Sequence, residues 1–165
     1  MYRNLGKGEF DKVSDALGPD FVRPIVGRGL ATADYDNDGD IDIVTNNRGD
    51  SPSLLRNDGG NANHWLTIQL VGTKSNRDGV GASLKLTSER FVQVEQAKGG
   101  MSYMSASDPR IHFGLGTRIK IESLEITWPS GLVDRLANLP VDQIITVKEG
   151  AGIIPRRFPK IPSAK

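Results

Sequence analysis

The sequence has no cysteine. That absence removes disulfides, thiol nucleophiles and thiolate metal ligands, and it leaves the redox compartment open. No run approaches the ~18 apolar residues of a bilayer span, so membrane insertion is not expected. Met1-Tyr2-Arg3-Asn4 leads directly into polar sequence, so no signal peptide is expected within these residues. Aromatic residues are only 6% of the chain, which allows a core but not a rich one. Neither sign of charge dominates: a net charge of +1 makes no case for nucleic acid or an acidic substrate. Glycine and proline are plentiful, with 19 and 9 residues between short alternating apolar runs. That texture predicts a turn-rich, all-β fold.

The charge that is present is unevenly placed. In Asp34-Tyr35-Asp36-Asn37-Asp38-Gly39-Asp40-Ile41-Asp42, five carboxylates fall within nine residues. Two carboxylates about 5 Å apart repel by roughly 3 kcal/mol at an effective dielectric near 20. A folded loop holding several of them calls for a cation. Oxygen-only ligands mean a hard one, and a flexible shell of 6–8 oxygens suits Ca2+ better than the strict octahedron of Mg2+. Asp34, Asp36 and Asp38 take positions 1, 3 and 5, and Gly39 at position 6 permits a sharp turn. Asp40 at position 7 would offer its backbone carbonyl, and Asp42 at position 9 a further carboxylate. An EF-hand would need Glu at position 12 between two helices. Position 12 is Thr45, and both flanks read as strands. The prediction is therefore a calcium loop in a β-hairpin. An ordinary Asp-Gly turn would need one Asp, not four on alternate positions.

The chain divides into three predicted parts. Residues 1–60 hold the acidic hairpin and a weak internal echo, Arg3-Asn4 and Arg56-Asn57, at a spacing close to one propeller blade. Gly59-Gly60-Asn61-Ala62-Asn63 reads as a boundary. Residues 64–149 alternate in seven or so strands with frequent turns, the pattern of a β-sandwich. Ile119–Glu122 and Leu124–Trp128 read as two separate strands. Residues 150–165 read as a basic, proline-rich tail that is disordered or ordered on contact. Arg48-Gly49-Asp50 reads as a polar hairpin tip in preference to an adhesion tripeptide.

Asp34–Val44, with the Arg-Asn-x-Gly echo, resembles the FG-GAP or VCBS repeat of integrin-alpha-like propellers. Residues 64–149 resemble the ASPIC/UnbV domain in three separated motifs: Gly72–Ala82, Gly100–Gly116 and Trp128-Pro129-Ser130-Gly131. The order of the two units is also that of the family. The resemblance implies a partial β-propeller blade followed by a sandwich, calcium binding, and an extracellular, cell-surface or periplasmic location. It also implies further repeats upstream, since one blade cannot cover both of its faces. Such a chain would be a C-terminal fragment, its signal lying upstream, in preference to a blade that packs on the sandwich domain or on another copy of the chain.

Catalysis is not expected. Ser102, Ser105, Ser107, Asp108 and His112 lie close in sequence, but a catalytic triad is a matter of geometry. No G-x-S-x-G nucleophile is present. His112 lies between Ile111 and Phe113, so it faces away from them on a strand. His64 and His112 read as structural. For ligand binding, the polar segments around Arg77, Asp78, Ser102, Asp108, Arg110 and His112 are the candidates, because loops on a rigid sandwich often bind. Arg77 and Arg110 could fork onto a carboxylate or pair internally. The expected function is a calcium-binding, non-catalytic interaction or adhesion module whose partner is an extracellular protein or glycan. The alternative is a carbohydrate-binding or carbohydrate-processing accessory domain.

Overall fold

The computed structural model describes residues 1–59 and 62–155. The first unit opens with a hairpin, β1 (Tyr2–Gly6) and β2 (Glu9–Lys12). A 3-10 turn at Ser14–Ala16 and a one-turn helix, α1 (Pro19–Val22), follow. Strands β3 (Gly27–Ala33), β4 (Asp42–Asn47) and β5 (Ser53–Leu55) form an antiparallel sheet in that order. The acidic stretch is thus the loop of the β3–β4 hairpin, with Ala33 paired to Asp42 across its mouth. Gly59 ends the described part of this unit; Gly60 and Asn61 of the expected boundary lie outside the described residues.

The second unit is a sandwich of two four-stranded sheets. One holds β7 (Ser83–Ser88), β8 (Phe91–Gln96), β10 (Lys120–Thr127) and β11 (Val133–Pro140), in the order β11-β10-β7-β8. The other holds β6 (His64–Val71), β9 (Ile111–Gly116), β12 (Gln143–Lys148) and β13 (Gly152–Ile154), in the order β13-β12-β6-β9. Its central pair, β6 and β12, is parallel. Period-2 alternation turns Leu66, Ile68 and Leu70 of β6, Leu84 and Leu86 of β7, and Phe113 of β9 into one shared core.

Two expectations are corrected here. The two strands expected at Ile119–Glu122 and Leu124–Trp128 are one strand, β10. Its inward residues Ile121 and Leu124 are three apart, so the alternation slips by one inside a continuous ladder with β11. The tail expected from Gly150 onward begins as structure: Gly152–Ile154 pairs antiparallel with β12. The basic residues Arg156, Arg157, Lys160 and Lys165 lie outside the described residues.

Every fully buried apolar side chain among the described residues lies between Trp65 and Val147. The first unit buries none. Tyr2, Leu5, Phe10, Leu30, Val44 and Leu54 are all exposed. On one face of the small sheet, Ala31, Val44 and Leu54 stand in register. A sheet of three short strands with uncovered apolar side chains cannot account for its own stability.

Part of the support comes from the sandwich. A free strand edge presents unpaired backbone groups, and residues 105–108 lie along the free edge of β3. The N–H of Leu30 donates to Ser105 Oγ at 2.9 Å, and that of Thr32 to Ser107 Oγ at 3.1 Å. The N–H of Asp108 donates back to the Thr32 carbonyl at 2.9 Å. Position 29 has no room for a side chain, since a Cβ there would lie 2.8 Å from the Met104 carbonyl oxygen. The free edge of β3 is therefore covered by a segment of the second unit, mainly through its serine hydroxyls.

Candidate functional site

The acidic loop is built from its own backbone first. Asp34, buried at its mouth, accepts the N–H of Asp38 at 3.0 Å and of Gly39 at 3.2 Å. Asp38 Oδ1 accepts the N–H of Asp40 at 2.9 Å, which closes the turn. Asp42 accepts the N–H of Tyr35 at 3.1 Å with one oxygen and of Asn57 at 2.9 Å with the other. The second bond ties the loop to the Arg-Asn echo. There, Asn57 Oδ1 accepts the N–H of Gly59, as Asn4 Oδ1 accepts that of Gly6, so both copies of the echo make the same local turn.

Carboxylate oxygens of Asp34, Asp36 and Asp42 lie within 4.8 Å of one another. Asp38 and Asp40 lie outside this group, Asp38 being the turn-closing residue. One oxygen of Asp36 is buried without a hydrogen-bond partner. Burial pushes the Asp34 carboxyl up, against the Gly39 and Asp38 N–H groups and the nearby Arg110 charge, which pull it down. An orphaned buried oxygen beside an under-compensated carboxylate is a donor set that suits a hard cation.

The sandwich grips this loop from outside. Arg110 spreads its guanidinium over it: one terminal nitrogen donates to the Asp34 carbonyl at 2.8 Å, the other to Asn37 Oδ1 at 2.6 Å. Nε donates to Asp108 Oδ2 at 2.7 Å. Asn37 itself holds a left-handed φ of 62°. Below the turn lies Trp65, on the outer face of β6. A Cβ on Gly39 would sit 2.1 Å from the indole nitrogen. The indole in turn stacks on His112, with ring centroids 6.0 Å apart. His112 shares a 3.0 Å hydrogen bond with Thr67, and burial, then the Arg110 charge, pushes its pKa down.

Beside the clamp, between the two units, opens a cleft of about 290 Å³. Asp108, Arg110 and His112 line it, along with Thr67, Lys98 and Met101. The remaining candidate ligand residues lie apart from it. Ser102 holds a tight turn against Ser105. Arg77 forks onto its neighbour Asp78 on the exposed Gly72–Gly81 loop. The two arginines thus each take the internal-pairing alternative. Asp50 of Arg48-Gly49-Asp50 pairs with Arg23 at 2.8 Å at a hairpin tip.

That second loop is organised by a residue that sequence reasoning missed. Glu149, only 3% exposed, accepts the N–H groups of Thr73, Lys74 and Ser75 at 2.6, 2.7 and 2.8 Å, and the hydroxyls of Ser75 and Ser130. Burial pushes its carboxyl up, but these bonds outweigh that and hold it far below the usual range. The Trp128–Gly131 motif is a turn whose indole is buried and donates to Asp134 at 2.8 Å. A signal was present: one acid at a strand end, and hydroxyl residues in both loop motifs. Nothing local joined them.

Residues 72–154 match the family model described as ASPIC and UnbV. Cartilage acidic protein 1 of Mus musculus is 30% identical over 138 residues, covering 79% of this chain and 21% of that protein. The Xenopus tropicalis protein of that name is 31% identical over 140 residues, covering 81% and 21%. That of Homo sapiens is 29% identical over 138 residues, covering 79% and 20%. The chain therefore spans about one fifth of the length of the curated relatives it matches. The aligned stretch is longer than 72–154, so the likeness reaches into the acidic-loop unit.

Proposed function

The chain belongs to the ASPIC and UnbV family, and from that premise we propose that it is a calcium-stabilised, non-catalytic interaction module of a secreted or surface protein. The observation that carries the reading is the convergence of Asp34, Asp36 and Asp42 within 4.8 Å, with a buried Asp36 oxygen left unpartnered. Asp108 brings a fourth carboxylate to the single guanidinium of Arg110. Asp38 adds its charge beside Asp34, so the carboxylates outnumber the guanidinium, and a divalent cation offsets part of that excess. In this reading Asp34, Asp36 and Asp42 hold the ion by side chains, Asp40 by its carbonyl, and Asp38 completes the set when the ion is bound. The ion supplies charge neutralisation and holds the hairpin shut. It performs no reaction.

The first unit is read as one FG-GAP/VCBS-type repeat. The matching turns at Asn4 and Asn57 support this. So do the uncovered apolar side chains of the small sheet, which suit packing against further repeats of the same protein. An extracellular location accords with the kinship to cartilage acidic protein 1. The cleft lined by Asp108, Arg110 and His112 favours a second reading, a carbohydrate-binding accessory unit. In that reading a glycan shifts the resonances of these residues, whereas the Arg77–Asp78 loop stays unaffected.

Thermal unfolding in chelator, in Ca2+ and in Mg2+ tests the main reading. At a hundredfold excess over Kd, one specific site adds about 2.7 kcal/mol, and a unit of this size then melts several degrees higher. Asp36→Asn abolishes the Ca2+ increment and leaves the sandwich folded. A wild-type chain equally stable in all three solutions, with both units folded, would overturn the calcium reading.

A further inference from the structure

The acidic loop ends at Asp42, yet its conformation is not decided by its own hairpin alone. Three groups from the sandwich act on it. Arg110 holds the Asp34 carbonyl and the Asn37 side chain from above. Trp65 lies against Gly39 from below. Asp108 orients Arg110 through Nε and through its own backbone, since the Arg110 N–H donates to Asp108 Oδ1 at 2.9 Å. Asp108 also donates its N–H to Thr32, just before the loop. The guanidinium is thereby held from two sides, and the Arg110 side chain is only 18% exposed.

We propose that Arg110 is the positioning residue of the cation loop, so that cation binding and the docking of the two units form one linked equilibrium. This rests on the calcium reading above and extends it to a residue outside the hairpin. The ion needs Asp34 and Asp36 turned inward. Arg110 fixes the backbone on both sides of Asp36 by taking the Asp34 carbonyl and by holding Asn37 in its left-handed conformation. A loop ordered in this way before the ion arrives does not spend binding energy on ordering itself. Linkage is reciprocal: whatever the docked sandwich adds to Ca2+ affinity, bound Ca2+ adds to docking.

Simple electrostatics makes the opposite prediction. Arg110 carries a positive charge beside a cation site, and its removal should tighten Ca2+ binding if charge alone matters. The sign of the effect therefore separates the two accounts. Calorimetric titration of the full chain with Ca2+ is the measurement, using wild type, Arg110→Gln and Arg110→Lys. Positioning predicts weaker binding in both variants, by about tenfold or more, within the usual range of coupling between linked sites. Lysine keeps the charge but cannot reach both acceptors with a planar fork.

Hydrogen exchange supplies the second readout. Added Ca2+ should protect the backbone of 105–112 in wild type and fail to do so in Arg110→Gln, while β6 and β12 exchange alike in both. Should Arg110→Gln undock the units, Arg110→Lys and the exchange data still decide the matter. Equal or tighter Ca2+ binding in the variants overturns the positioning role and leaves the calcium reading standing. No Ca2+ binding by the folded wild type overturns both.

Discussion

The contact between Gly39 and Trp65 gives the sharpest test of how the two units are joined. Gly39 sits at φ 100°, and a Cβ built on it would lie 2.1 Å from the indole nitrogen and 2.2 Å from Cε2 of the ring. Alanine at this position therefore meets two separate penalties. The left-handed backbone costs about 1–2 kcal/mol for a residue with a Cβ. Forcing a methyl group into the packed ring, or the ring out of its stack with His112, costs about 1–3 kcal/mol more. The sum is about 2–5 kcal/mol. Gly49 supplies the control, for it too has a left-handed φ, 76°, but a Cβ added there would meet no atom within 4 Å. Gly49→Ala should lose only the backbone part, about 1–2 kcal/mol. Urea unfolding followed by circular dichroism gives both losses, and the Trp65 indole N–H resonance reports the displacement directly. The two alanine variants agreeing within about 0.5 kcal/mol, with the Trp65 resonance unmoved, would refute the loop-on-indole packing.

Glu149 sets a pH dependence. Its folded pKa lies far below the ordinary 4.5, so its stabilising effect is complete above that value and is lost as pH falls from there toward the folded pKa. Glu149→Gln should be less stable than wild type at neutral pH, with a gap that narrows below about pH 4.5; a gap independent of pH would count against the nest around the carboxylate. Ser105→Ala and Ser107→Ala each remove one acceptor from the free edge of β3 and should loosen the docking of the small sheet by about 0.5–1.5 kcal/mol. Proteolysis of the first unit measures that loosening, and unchanged cleavage rates in the double variant would show that the edge is held by something else.

Much of the architecture was legible because β-structure writes its own period. Leu66, Ile68 and Leu70 recur at the period of two that marks a strand, and the Glu89-Arg90 turn between β7 and β8 falls where alternation stops, with Glu89 at a left-handed φ of 54°. Where alternation slipped, the reading slipped with it. The step from Ile121 to Leu124 looked like a break, whereas hydrogen bonding to β11 carries the strand straight through. At Gly152–Ile154 three residues are too few to announce a strand, and only the exposed edge of β12 made them one.

The candidate site divides along the same line. Alternate aspartates around a glycine are a local pattern, because a loop must bring residues two apart to the same side of a turn, and the acidic hairpin could be found from its spacing. Which carboxylates converge was not local: Asp42 joins Asp34 and Asp36 through strand pairing, and Asp38 is taken up by the turn. Nor could spacing show that Arg110 lies on the loop or that Glu149 gathers the Thr73–Ser75 backbone, since these partners are more than 70 residues apart. By itself the sequence determined most of the strands and turns and the acidic loop, wherever neighbours along the chain set them. Only the tertiary structure decided what each loop leans on, because burial and hydrogen-bond satisfaction are properties of the assembled surface. The side chains that meet them come from wherever the packing of the two units places them.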